Sequence, residues 1–233
     1  MITDILVENY INVILIRTLR FMDKPVLIFG AGGIGIAAYE IFRSQDIIIY
    51  GFLDDRKDLI GKEIDEIQVL GSMDDDGYLK FIGNKCEAFV ASDDNKERKS
   101  IIAMLKDRRK VMPVNAIHKN SSIAPSAIIS YGIFIDDGVI IGANSKIGNH
   151  CIIHSGAIIE NETTIADLVQ IGAGVTIGAG VKIEKEVFIG TGSIVVPGIS
   201  IGKNARIGAG SVVIEDISNN VTVFGNPAKP VSI

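Results

Sequence analysis

The sequence predicts a two-part molecule, an α/β domain followed by a solenoid of very short parallel strands, and three observations predict it. Strand-like and helix-like segments alternate through residues 24–115. From Ile123 to Val213 every sixth residue is Ile or Val, sixteen units without an insertion. Between those aliphatics, residues that tolerate a sharp corner recur at a fixed place.

The first half is read element by element. "PVLIFG" is a short apolar run of buried-strand type, and "AGGIGIAAYEIF" is a turn and helix. "IIIYGFLDD" is a second buried strand that ends in two carboxylates. "EAFVAS" is a later strand, and "DNKERKSIIAMLKDRR" is a charged helix that Asp94 or Asn95 would cap. Strand and helix alternating at this spacing indicate a parallel sheet. Residues 24–116 leave room for only about half of a dinucleotide fold.

The second half, 117–233, has a different period. Four residues after each periodic aliphatic the side chain is again small or apolar, as in Val139, Ser145, Cys151 and Ala157. Three residues after it, Gly, Asn or Asp fills eleven of sixteen places, the types that accept positive φ. A helix of 3.6 residues per turn would scatter such aliphatics around its axis. A solenoid of strand and corner, three units to a triangular coil, points them all inward. Sixteen units make about five coils, a prism roughly 25 Å tall at ~4.8 Å per coil.

Composition narrows the function. The net charge of −5 and pI near 5.3 leave no basic stripe for nucleic acid. Cys86 and Cys151 lie in different regions and make no disulfide framework, which fits a reducing cytoplasm. Acidic Asp4 and Glu8 precede the first apolar cluster, unlike a secretion signal. That cluster, "INVILIRTLRF", is broken by Arg17 and Arg20 and is too short to span a bilayer. Residues 3–21, within an N-terminal segment 1–23, read as an amphipathic helix packed on the body or a neighbouring subunit. Positive charge there is too sparse to favour a membrane surface. Of the three histidines, His118 precedes the repeats and His150 and His154 hold different places in their units, so no zinc site is expected. His118 marks the start of the solenoid, and His150 reads as a surface corner.

Gly30-Ala31-Gly32-Gly33-Ile34-Gly35 follows a predicted strand and opens a helix, where backbone N–H groups can face a phosphate. Asp54 and Asp55 close the next strand, where a carboxylate can meet a ribose hydroxyl. Alone this would suggest NAD. The same glycines also suit a tight turn made for packing, and the two acids suit a solvated strand end.

The hexapeptide units resemble those of the hexapeptide-repeat acyltransferases. "VLIFGAGGIG", "GFLDD", "VLGSMDD" and "VFGNPAK" in one chain resemble the NeuD/PglD type. The resemblance implies a left-handed parallel β-helix assembled as a homotrimer, with acetyl-CoA along its clefts. It further implies a small N-terminal domain that holds a nucleotide-linked amino sugar through Gly30, Gly32, Gly33, Gly35, Asp54 and Asp55. Surface-glycan assembly would use the product. Ile34 stands where the family often has histidine.

The same resemblance exposes an exchange. The family's Asn-Thr-Gly-Ala falls on His154-Ser155-Gly156-Ala157, and its acidic-His-acidic falls on Glu160-Asn161-Glu162. A further family histidine falls on Gln170. The usual base position is therefore Asn161, which accepts no proton at neutral pH, while a histidine occupies the amide position. Three readings follow: His154 acts as base in place of Asn161; an amine nucleophile needs only positioning; or the chain is a nucleotide-sugar-binding scaffold without turnover. Glu162 matches the carboxylate that orients the family's base. Ala179 matches the family's oxyanion amide, with Gly178 and Gly180 leaving room for pantetheine. Pro197-Gly198 lies one coil further along the cofactor's path, and Lys229 in "GNPAK" could reach the 3′-phosphate of coenzyme A. Loss of the usual base favours N- over O-acetylation.

Overall fold

The computed structural model describes residues 24–231. The helix expected over 3–21 lies outside them. The first domain is a five-stranded sheet of β1 (Val26–Phe29), β2 (Ile49–Leu53), β3 (Glu63–Ile64), β4 (Ile67–Gly71) and β5 (Glu87–Val90), in the order β3-β4-β2-β1-β5. Strands β4, β2, β1 and β5 pair in parallel, and only the β3–β4 pair is antiparallel. Val26 to Phe29 are wholly buried because α1 (Gly33–Arg43) covers one face and α2 (Asp76–Leu79) and α3 (Asn95–Arg109) the other, which is why this strand is an unbroken apolar run. Asp94 caps α3 by accepting the Glu97 N–H at 2.7 Å, and Lys106, Arg108 and Arg109 sit at its negative end.

The glycine-rich turn after β1 is pinned by Asp54. Its carboxylate accepts the Ala31 N–H at 2.8 Å and the Arg56 N–H at 2.9 Å, and it pairs with the Arg56 guanidinium at 2.7 and 2.9 Å. Burial pushes this carboxyl's pKa upward, but the bonds from Arg56 and Ala31 win and hold it at about 2.

The second domain is the expected coil. Seventeen two-residue strands run from β6 (Ala116–Ile117), β7 (Ser122–Ile123) and β8 (Ile128–Ile129), every six residues, to β22 (Val212–Val213). Every third strand joins one of three parallel faces, a left-handed β-helix. Phe134, Ile152 and Gln170 align in register on the β6 face. The second residue of each strand points inward, and Ile135, Ile153, Ile171 and Ile189 are fully buried. Ser145, Thr163, Ser193 and Ser211 also lie inside. Their burial is tolerated because, for example, Ser145 Oγ donates to Glu160 O at 2.9 Å and Ser193 Oγ to Gly208 O at 2.9 Å.

The corners take the left-handed conformation at the expected place, with non-glycine residues at Asn144, His150, Glu162, Leu168, Glu186 and Asn204. The last coil is shorter: Lys203 N–H meets Asn219 Oδ1 across 16 residues, where Ala143 N–H meets Asn161 Oδ1 across 18. β23 (Thr222–Phe224) and an antiparallel β24 (Lys229–Pro230) close that end.

The first domain lies on the β6 face. Ala116, Phe134 and Ile152, the outward residues of three strands on that face, are at most 2% exposed and share one cluster with Ile28, Phe42 and Phe89. Gln45 Nε2 donates to Ile117 O at 2.8 Å, and Lys99 pairs with Glu186 at 2.8 Å. This docking corrects the reading of His150 as a surface corner. His150 is 7% exposed, and a Cβ on Gly132 would lie 2.3 Å from its Nδ1. Burial, and then the positive Arg98 of α3, lowers its pKa to about 4.

Two outcomes are expected. Phe134→Ala should cost roughly 3–5 kcal/mol in urea unfolding, because it empties the seam between the domains. Asp54→Ala should cost about 1–3 kcal/mol at pH 7 by orphaning the Ala31 N–H. Because the folded pKa is depressed, the part of the difference owed to the carboxylate charge should persist above the ordinary 3.8 and be lost as pH falls through about 2, leaving the cost of the orphaned Ala31 N–H.

Candidate active site

The chain runs from β1 outward through β2 to β4 on one side and then crosses to β5 on the other side of β1, so a crevice opens beyond the carboxyl ends of β1 and β5. A cleft of about 360 Å³ occupies it. The first domain contributes Gly32, Gly33, Ile34 and Ala37 from the start of α1, and Ala91 and Asp93 from the turn after β5. The β-helix closes it with Phe134, Asp136 and His154.

Each wall follows from local sequence. Gly30 has φ of +107°, and a Cβ on Gly35 would sit 2.0 Å from Gly30 O, so a tight turn delivers the chain into α1. Around Gly32 and Gly33, by contrast, a Cβ would meet nothing within 4 Å. That side of the turn is open, and the first-turn N–H groups of α1 have no intrahelical acceptor. Such a helix start accepts an anion, phosphate above all. Ile34 makes the same wall apolar where a histidine would have offered a polar group.

On the opposite wall, Phe134 and His154 follow from the eighteen-residue rung. Phe134 belongs to the strand before Asp136, and His154 directly follows the strand stacked on it, so the two rings meet edge to face with centroids 6.1 Å apart. Asp136 lies one coil before His154. Burial lowers the imidazole's pKa, and the carboxylates of Asp136 and Asp93 oppose it. An imidazole so placed is neutral, half-buried and able to accept a proton.

The remaining residues singled out from sequence lie elsewhere. Asn161 and Glu162 occupy the next corner, after Ile158–Ile159, and do not line the cleft. The Asn161 side chain accepts the Ala143 N–H at 2.7 Å, a structural rung of the corner. Glu162 is exposed at φ +60°. Gly178, Ala179 and Gly180 stack one coil above Asn161, with Pro197-Gly198 one coil above them. A Cβ on Gly178 would strike Pro197 N at 2.5 Å. Proline gives Ala179 no side-chain oxygen of the kind Asn161 gives Ala143, so the Ala179 N–H is left for another acceptor. Lys229 is exposed, 3.9 Å from Glu215.

Asp54 is engaged by four hydrogen bonds, three from Arg56 in its own loop and one from Ala31 in the glycine-rich turn, and Asp55 accepts the Met73 N–H at 2.8 Å. Cys86 and Cys151 are free and buried, and burial raises their thiol pKa values to about 11 and about 12. Among the described residues no cluster of three His, Cys, Asp or Glu could hold a metal ion, and no helix is long and apolar enough to cross a membrane.

Sequence reasoning missed Asp93, Asp136 and Phe134. Only "VASDD" carried a signal: acids just past a parallel strand flank a crevice whenever that strand borders the point where the order reverses.

Comparison with known proteins gives matches in both parts of the chain. Residues 25–105 match the PglD N-terminal domain, 144–179 the bacterial transferase hexapeptide of six repeats, and 180–215 the hexapeptide repeat of succinyl-transferase. No curated protein matches the sequence. Among solved structures, the chain is similar to a histidine-to-alanine mutant of GDP-perosamine N-acetyl transferase from Caulobacter crescentus in complex with CoA and GDP-perosamine. Identity is 29% over 91% of this chain and 98% of that one, with a TM-score of 0.83. It is similar also to the acetyltransferase domain of PglB from Neisseria gonorrhoeae in complex with acetyl coenzyme A, at 27% identity over 89% and 99% of the two chains and a TM-score of 0.81. WeeI from Acinetobacter baumannii, 23% identical over 89% and 100% with a TM-score of 0.80, shares the fold. A match to the PglD N-terminal domain followed by matches to hexapeptide repeats gives this chain the domain order of the PglD/NeuD type, which it resembles.

Proposed function

We propose that the protein transfers the acetyl group of acetyl-CoA to the amine of a nucleotide-linked amino sugar, with His154 as general base. The observation that carries this reading is the cleft itself. An open helix start at Gly32 and Gly33 and an imidazole at His154 face one space of about 360 Å³. The first suits the diphosphate of a nucleotide sugar, and the second the reacting end of its sugar. The similar transferase from Caulobacter crescentus is an N-acetyl transferase solved with CoA and GDP-perosamine, which supports the same substrate class here.

The steps balance as follows. His154 takes one proton from the sugar ammonium and passes it to solvent. The freed lone pair attacks the thioester carbonyl carbon, forming the C–N bond and an oxyanion that a backbone N–H stabilises. The nitrogen then gives its second proton to His154. Collapse of the oxyanion breaks the C–S bond, and the departing thiolate leaves as coenzyme A with that proton. The products are the amide, coenzyme A and one proton released to solvent.

The amide we assign to the oxyanion, at Ala179, lies on a corner away from this chain's own cleft, so the site is completed between subunits. The β6 face is covered by the first domain. The β7 face carries Ile140, Ile158 and Ile194, exposed by 45%, 36% and 45%. The β8 face carries Lys146 and Lys182 instead. The apolar β7 face is therefore the trimer contact, and it brings the corner of Asn161 and Ala179 against a neighbouring copy. Gly178, Gly180, Pro197 and Gly198 would then flank the pantetheine, with Lys229 near the nucleotide end. Gly30 and Gly35 shape the phosphate turn, Asp54 holds it and Asp55 borders it. Asn161 and Glu162 act as corner residues that meet the acetyl end.

The test is coenzyme A release with a panel of nucleotide-linked amino sugars. His154→Ala should lower kcat by about 10²–10⁴-fold with sugar binding retained. Full turnover in that variant would leave positioning as the sole catalytic device, and binding of acetyl-CoA without turnover in the wild type would support the scaffold reading. Ile158→Glu should convert the trimer to monomer in light scattering and abolish turnover.

A further inference from the structure

We infer that Asp136 is a positioning residue for His154: its carboxylate, tethered by Ser155, steadies the imidazole against Phe134 and stabilises the imidazolium formed when the base takes a proton. The inference deepens the reading of His154 as base and rests on it for its catalytic meaning.

Four observations converge. Asp136 and His154 line the same cleft. They stand on one corner stack, since the strands that precede them, Phe134–Ile135 and Ile152–Ile153, pair in register. The carboxylate is fixed from both sides: Oδ2 accepts the hydroxyl of Ser155, the residue next to His154, at 2.6 Å, and Oδ1 accepts the Asp137 N–H at 2.9 Å. Phe134 closes the third side of the imidazole. A tethered acid beside a base in a partly desolvated cleft lowers the cost of protonating that base.

Among the described residues, the charged groups that bear on His154 are Asp136 from its own domain and Asp93 from the turn after β5. Asp137 is turned away, with Oδ1 3.2 Å from His118 Nδ1. Asp93 is exposed and no side-chain bond holds it among the described residues, so its influence is weaker and more readily screened. Nothing in the sequence pattern marks Asp136. The acid becomes legible only when the rung places it one coil from a histidine that has itself moved corner.

The experiment reads the imidazole directly and needs no substrate. With ¹³C-labelled histidine the protein gives three ring signals, and the one missing in His154→Ala is assigned. Its NMR titration is compared in wild type, Asp136→Asn, Asp136→Ser, Ser155→Ala and Asp93→Asn. Loss of the Asp136 charge should lower the midpoint of His154 by about one unit in both Asp136 variants, with a smaller shift in Asp93→Asn. Ser155→Ala, which keeps the charge, should broaden the signal and leave the midpoint nearly in place.

With GDP-perosamine or whichever panel sugar turns over, the acid limb of kcat/KM should move to lower pH by the same amount in Asp136→Asn. A merely structural role would lower kcat without moving that limb. An unchanged His154 midpoint in both folded Asp136 variants would overturn the inference. Retained turnover in His154→Ala would sink the base reading alone, because the titration still reports the coupling.

Discussion

The molecule depends on one constraint, the backbone hydrogen-bond ladder that repeats every 18 residues along the coil. A two-residue strand has almost no stability of its own, and it persists because its N–H and C=O groups bond to the coils on either side. Ile152 N–H donates to Val169 O and His154 N–H to Ile171 O, both near 3 Å. That ladder keeps every second strand residue inside the prism and every corner above the last. The site inherits its precision from it. His154 lies over Asp136 because the coils cannot slip without exposing a column of buried isoleucines.

The second determinant is where the first domain rests. A three-sided coil has three equivalent edges until something breaks the symmetry. Phe134 and Ile152 do so by turning apolar side chains outward on one face, where Phe42 and Phe89 receive them. Burying that seam selects a single edge, the one carrying Asp136 and His154, to face the glycine-rich turn that opens α1. The edge carrying Asn161 and Ala179 is thereby left uncovered by the first domain.

Much of this was legible in the sequence. The period of six located all the strands from β7 to β22, and the Gly30–Gly35 run located the turn and the helix start. Residue type did not distinguish the open side of the turn, at Gly32 and Gly33, from the closed side at Gly30 and Gly35. What could not be read was which edge faces which domain, a tertiary fact that no local pattern encodes. His150 illustrates the cost. Its corner position suggested solvent, yet it is buried against Gly132 and feels the positive charge of Arg98. Asp54 illustrates another. A carboxylate at a strand end looks free in sequence, and only the geometry shows all its acceptor capacity spent on Ala31 and Arg56. Asp136 fell into the same gap, since its meaning depends on a residue one coil away.

The ladder has a consequence for how such a protein can change length. One extra residue in any corner would turn every later strand inside out, whereas a whole coil inserted above His154 would leave the cleft untouched and only make the prism taller. The shortened final coil, where the spacing drops to 16, lies beyond the site and next to the closing β23–β24 hairpin. Irregularity is therefore confined to the end of the coil remote from the first domain. Growth or loss of this protein in quanta of one coil, always on the same side of the site, is the mode of variation its geometry permits.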